Sequence, residues 1–124
     1  MDNSTCEILP KNMKTFTIKD IVYIPKRTTY HRVVISDIQY AKADKGCIII
    51  KTTKAKFVLS STLKRFAEQL DDPSFLFIHR SYYVNVMHIE AFDTATVLIN
   101  DETIAMSSTG YKLLIQNIRR IWAR

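Results

Sequence analysis

Between Phe16 and Met106 the chain is a procession of short β-type runs separated by turn residues and interrupted once by a helical pattern. No other feature of the sequence constrains the fold as strongly. Strands that do not alternate with helices do not build βαβ units, which argues against a parallel sheet of the dinucleotide-binding or phosphate-loop kind. With two glycines in 124 residues, neither G-x-G-x-x-G nor G-x-x-x-x-G-K can be assembled. A mainly β protein of short, mostly antiparallel sheets is expected.

The runs can be placed one by one. Ile18, Val22, Tyr23 and Ile24 mark a first strand, Pro25 to Thr29 a turn that bends at the proline, and Tyr30 to Ser36 a second strand. Asp37 to Ala43 reads as a third. Asp44-Lys45-Gly46 is a tight-turn signal before a fourth strand, Cys47 to Thr53. Ile48, Ile49 and Ile50 cannot share one face of a strand, so burial on both sides is expected there. Lys56 to Leu59 follows as a fifth strand. Ser60-Ser61-Thr62 then offers a helix cap, and Leu63, Phe66, Ala67 and Leu70 form one helical face before Asp71-Asp72-Pro73 stops it. Strand signals return at Phe75 to Ile78, His88 to Phe92, Thr96 to Ile99 and Thr103 to Met106, the last two joined by the Asn100-Asp101 turn. From Ser108 onward Tyr111, Leu114, Ile115, Ile118, Ile121 and Trp122 recur at helical spacing. The other face of that segment carries Lys112, Arg119, Arg120 and Arg124 and no acid. One short helix at about 61–70 and a C-terminal helix at about 108–123 are therefore expected. Residues 1–15 read as a flexible lead-in and 16–124 as one domain.

The formal charge of +6 and a pI near 9.4 favour anionic partners. Cys6 and Cys47 read as two lone thiols, and no signal peptide or membrane-length apolar run is present, which gives a cytoplasmic expectation.

Residues 77 to 85, F-I-H-R-S-Y-Y-V-N, set a polar block between core-like runs. His79, Ser81 and Asp71 or Asp72 are the residue types of a hydrolytic triad, but no nucleophile-elbow pattern surrounds Ser81. His31, His79 and His88 lie on different runs and not at ligand spacing, so no metal is expected. Asp71-Asp72 and Asp101-Glu102 sit in turn contexts, where solvated carboxylates are the ordinary explanation. No enzyme, cofactor or small-molecule substrate follows. The basic residues carry more information. Lys42, Lys45, Lys51, Lys54 and Lys56 cluster in the third to fifth strands and their turns, and Lys26, Arg27, His31 and Arg32 crowd the first hairpin. They read either as lysine-protected strand edges or as phosphate contacts.

D-I-Q-Y-A-K-A at 37 to 43, the start of the helix at Leu59 to Leu63, and above all F-I-H-R-S-Y-Y-V-N-V-M-H-I at 77 to 89 resemble the LytTR family of bacterial DNA-binding domains. The resemblance spans roughly Phe16 to Ile121. It implies a predominantly β, LytTR-like fold that binds duplex DNA by placing loop residues in successive major grooves, usually as the output module of a two-component response regulator. The implied contacts fall in three places: the turn at Ala43-Asp44-Lys45-Gly46, the His79-Arg80-Ser81 segment, and the start of the last helix at Ser108-Thr109-Gly110-Tyr111. Arg80 is the expected base reader, since a guanidinium can bond guanine O6 and N7 together. His79 is expected to buttress the loop or meet a phosphate, and Asn85 to cap a turn.

Two departures from the family pattern matter. The S-R-R-Y string becomes Ser108-Thr109-Gly110-Tyr111, leaving Lys112 as the residue that would replace its basic contact. Ala41-Lys42 stands where Ile-Glu is common, exchanging an acid for a base near DNA.

The sequence therefore predicts a non-enzymatic, sequence-specific binder of double-stranded DNA that regulates transcription in a bacterium. Its expected contacts are Arg80, His79, Ser81, Lys42, Asp44, Lys45, Lys54, Ser108, Thr109 and Lys112, with a homodimer on repeated half-sites as an open arrangement. The chain starts at Met1 with a short lead-in, so a stand-alone regulator or an excised domain is expected, without a receiver domain. The alternative is a protein-interaction module that pairs through exposed strand edges.

Overall fold

The computed structural model describes residues 15–122; the lead-in expected at 1–15 lies outside the described residues except for Thr15, which is buried. Two small antiparallel sheets flank a larger one. β1 (Phe16–Ile18), β2 (Ile21–Lys26) and β3 (Thr29–Val34) form the first small sheet in the order β1-β2-β3. A 3-10 turn at Ile35–Asp37 leads into the central sheet of β4 (Ile38–Asp44), β5 (Cys47–Thr52), β6 (Lys56–Leu59), β7 (Phe75–His79) and β8 (Tyr82–Asn85). Its order is β6-β5-β4-β8-β7, with every neighbour antiparallel. Helix α1 (Leu63–Leu70) carries the chain from one edge of that sheet to the other. After a 3-10 turn at Val86–His88, β9 (Ala91–Phe92), β10 (Thr96–Ile99) and β11 (Glu102–Ala105) make the second small sheet, and α2 (Ser108–Trp122) closes the chain.

The central sheet is covered on both faces because its strands are apolar on both. One face sends Ala41, Ile48, Ile50, Phe57, Leu59 and Tyr83 into a core with Val22 and Ile24 of β2 and with Leu63, Phe66 and Leu70 of α1. The opposite face sends Tyr40 and Val84 into a second core with Val97, Ile99 and Ile104 of the β9–β11 sheet and Leu114 of α2. Ile49 points to that second face and is half-buried, so the isoleucine run is covered on both sides, less completely on one. Along β7 the faces alternate as in any strand, Phe75 and Phe77 packing on the first core and Leu76 and Ile78 on the second, with a register irregularity between Phe77 and His79 just before the turn. Burial, with the nearby Asp72 and Asp71 charges, pushes the Tyr83 hydroxyl up to about 12, so it stays neutral in the core.

Several local expectations shift. Pro25 lies inside β2, paired with Tyr30, and the hairpin turns instead at Arg27 and Thr28. β1 pairs with β2 only at Ile21 to Tyr23, so the missing proline N–H faces no strand. The run at His88 to Phe92 shrinks to two strand residues, because Asn85 caps a 3-10 turn first: its Oδ1 accepts from Met87 N at 3.0 Å. The segment Tyr82–Asn85, a core-like run not counted among the expected strands, forms β8. Helix α1 begins after its cap, with Thr62 Oγ1 accepting from Arg65 N at 3.1 Å, and ends at Asp71 in the left-handed region. Cys47 is buried in β5 and disulfide-bonded rather than a lone thiol, so the cytoplasmic expectation loses the support it drew from that residue. Among the described residues no helix is long and apolar enough to cross a membrane.

Candidate nucleic-acid interface

The polar block His79-Arg80-Ser81 closes the hairpin between β7 and β8. His79 pairs with Tyr82, so Arg80 and Ser81 are the two turn residues and Arg80 is exposed at the tip. The turn is braced from two sides. Ser81 N donates to His79 Nδ1 at 3.1 Å, and Ala43 N donates to Ser81 O at 2.9 Å. The second bond ties the Arg80 turn to the end of β4, and thus to the β4–β5 turn. That turn has Lys45 and Gly46 both at positive φ (52° and 85°), the geometry of a type I′ hairpin, with Lys45 exposed. Asp44 is its half-buried flank. Lys42 sits two residues back, its Nζ 5.9 Å from the Tyr82 ring centroid.

On the other side of the Arg80 turn lies the start of α2. Ser107 N donates to Ile78 O at 2.8 Å and its Oγ accepts from Gly110 N at 2.9 Å, so Ser107, not Ser108, caps the helix. Ser108 and Thr109 are then exposed on the first turn, and Lys112 is exposed one turn further on. A Cβ at Gly110 would lie 2.6 Å from the Ile78 carbonyl carbon and 2.7 Å from its Cα. Position 110 therefore faces β7 and presents nothing outward. A basic contact at this end falls to its exposed neighbours.

Nine of the ten residues expected to contact DNA thus share one end of the central sheet: Lys42, Asp44, Lys45, His79, Arg80, Ser81, Ser108, Thr109 and Lys112. Lys54 does not join them. It lies in the β5–β6 turn, where Thr53 N donates to Asp37 O, at the far end of β5 and about 17 Å away by strand rise.

One group on this end was not singled out by the sequence. Ser61, Thr62 and Lys64, which lead into α1, line a cleft of about 540 Å³ together with Lys45, Arg80 and Ser81. The Ser60-Ser61-Thr62 signal was legible as a cap, but which end that cap faces depends on the crossover. Among the described residues no cluster of His, Cys, Asp and Glu could hold a metal. The His79, Ser81 and Asp71 types do not assemble a triad either, since His79 Nδ1 is engaged by the Ser81 amide.

The LytTr DNA-binding domain family matches residues 28–119. The chain belongs to the LytTR family. That family is one of DNA-binding domains rather than enzymes, and DNA is accordingly the partner class of this LytTR domain. A solved structure described as the LytTr DNA-binding domain of a response regulator from Bacillus cereus shares the fold. Its TM-score is 0.68 at 21% identity, with 81% of this chain and 97% of that one covered. No curated protein matches the chain. The mainly β, LytTR-like architecture expected from the sequence is thus the observed one, with β1 and β2 preceding the family match.

Proposed function

We propose that this LytTR domain reads double-stranded DNA sequence-specifically in a bacterium and regulates transcription, with Arg80 entering the major groove. One observation carries the reading: an exposed arginine at the tip of a two-residue hairpin, held by hydrogen bonds from both sides and flanked by Lys45 and by Ser108 and Thr109. A β-ribbon is two strands about 5 Å apart, and the major groove, about 12 Å wide, admits it. Arg80 would then bond guanine O6 and N7, while Lys42, Lys45, Ser108, Thr109 and Lys112 contact phosphates and fix the register. His79 and Ser81 hold the turn in shape. Asp44 orders the neighbouring turn or accepts from a cytosine amine. A cytoplasmic location accords with such a partner. Lys54, at the other end of the sheet, would meet DNA only if the duplex bends around the domain.

A second reading is favoured by a separate observation. Edge strand β1 exposes Phe16 (52%) and Ile18 (61%), and β3 exposes Tyr30 and Val34, which suits protein contact through strand edges or a second copy on a repeated half-site. Selection from a random duplex library at several salt concentrations separates the readings. Enrichment of a defined sequence, with affinity falling steeply as salt rises, supports DNA reading. An absence of retained duplex at low salt leaves the protein-contact module.

A further inference from the structure

We propose that the cleft between the β4–β5 turn, the Arg80 turn and the start of α1 seats the sugar-phosphate backbone of one DNA strand, with Lys64 as a phosphate contact. This rests on the DNA-reading proposal and extends it to a part of the surface that the sequence did not mark.

The lining of the cleft is divided. Ile48, Leu63 and Phe77 line it as apolar, buried or half-buried residues, and Lys45, Lys64 and Arg80 as exposed cations, with Ser61 and Ser81 among them. A backbone has the same division, with sugar carbons between anionic phosphates, and contacts of this kind position a protein without reading sequence. The charges are also available. Among the described residues the ion pair is Lys51 with Glu102, remote from this end, so Lys45, Lys64 and Arg80 have no bonded acid to give up. Asp44 is the one carboxylate in the lining. Another cleft, of about 400 Å³ between Val86–Phe92 and α2, is lined by apolar residues and Glu90 and would repel a phosphate.

Position completes the argument. Arg80 lies between the cleft on one side and the start of α2 on the other, because Ser81 is bonded to β4 and Ile78 to Ser107. Phosphate contacts on both sides of a base-reading arginine would fix its register in the groove. Ser108, Thr109 and Lys112 supply one side and the cleft supplies the other. Lys64 is the cation that α1 adds to that second side, and it is exposed, so removing it leaves the core intact.

Arg65 provides the control. It is the next residue, equally basic and exposed, but it does not line the cleft. Binding of wild type, Lys64→Ala, Lys64→Arg and Arg65→Ala to a selected duplex and a scrambled one is measured across salt concentrations. Lys64→Ala is expected to weaken both duplexes alike, by about threefold to tenfold at low salt, and to flatten the slope of log K against log salt by about 0.9. Lys64→Arg should keep the slope, and Arg65→Ala should leave it unchanged. Ethylation interference should show one phosphate, on a single strand, whose effect disappears with Lys64→Ala. An unchanged slope in Lys64→Ala, or an equal change in Arg65→Ala, overturns the assignment while leaving DNA reading intact. Failure of the wild type to bind any duplex overturns both.

Discussion

The amide of Ser81 is held by Nδ1 of His79, 3.1 Å away, within the same hairpin, so the histidine shapes the turn that presents Arg80. Removing that acceptor should loosen the turn without removing a base contact. His79→Ala is expected to weaken binding to a selected duplex by about fivefold, roughly 1 kcal/mol, the usual worth of one hydrogen bond, with the base preference retained. His79→Asn places an oxygen near the position of Nδ1 and should restore most of the loss. Fluorescence anisotropy on matched and mismatched duplexes checks this. A changed base preference in His79→Ala would make His79 a reader.

Gly110 lets the first turn of α2 lie against β7, where any Cβ would run into the Ile78 backbone. Alanine is a better helix former than glycine by about 1 kcal/mol, but overpacking against a backbone costs about 1–3 kcal/mol. Gly110→Ala is expected to be net destabilising, by up to about 2 kcal/mol, in urea unfolding. It should also lower DNA affinity, because Ser108 and Thr109 move with the helix. A stabilised variant would contradict the close packing.

Asn85 is buried and doubly bonded. Nδ2 donates to Ile38 O at 3.0 Å and Oδ1 accepts from Met87 N at 3.0 Å, which joins β8 to the start of β4 and caps the 3-10 turn. Asn85→Ala is expected to cost about 2–3 kcal/mol in chemical unfolding, since two bonds are lost and a buried carbonyl is left without its partner. Base preference, measured where the variant is still folded, should not change.

Glu102 ties the β9–β11 sheet to the central one, accepting from Lys51 Nζ and from the Tyr40 hydroxyl, each at 3.0 Å. Burial would raise its carboxyl, but the bonds from Lys51 and Tyr40 and the Lys51 and Lys42 charges together hold it below the usual range. Tyr40 is moved the other way, upward, by its own burial and by the same carboxylate. A depressed carboxyl stabilises the fold above its unfolded pKa, and that contribution is lost as pH falls through the folded value. With the Glu102 side chain 42% exposed, the effect at neutral pH should stay under about 1 kcal/mol. Glu102→Gln should lose that much at pH 7 and converge with wild type near pH 3, by urea unfolding at both pH values.

Local chemistry made much of this fold readable. Lys45-Gly46 and Asn100-Asp101 became tight turns with positive φ, Thr62 became a cap, and Asp71 ended α1. Elements whose definition depends on a distant partner were harder to read. Pro25 looked like a bend because its tolerance inside β2 follows from where β1 stops. Tyr82–Asn85 pairs with β7 through a local hairpin and with β4 from about 40 residues away, and no period encodes that second, non-local pairing. The same reason separates the site residues. Arg80 and Lys45 were visible as exposed turn residues, whereas Lys64 entered, and Lys54 parted from the rest, only once strand order was known.

The central proposal is that Arg80 reads a base, and the direct measurement is selection of bound duplexes by wild type and Arg80→Ala, followed by affinity for the selected site. Arg80→Ala should cost about 1–3 kcal/mol on that site and lose preference at one base pair while keeping the others. A selected site bound equally tightly, with the same preferences, by Arg80→Ala would contradict it.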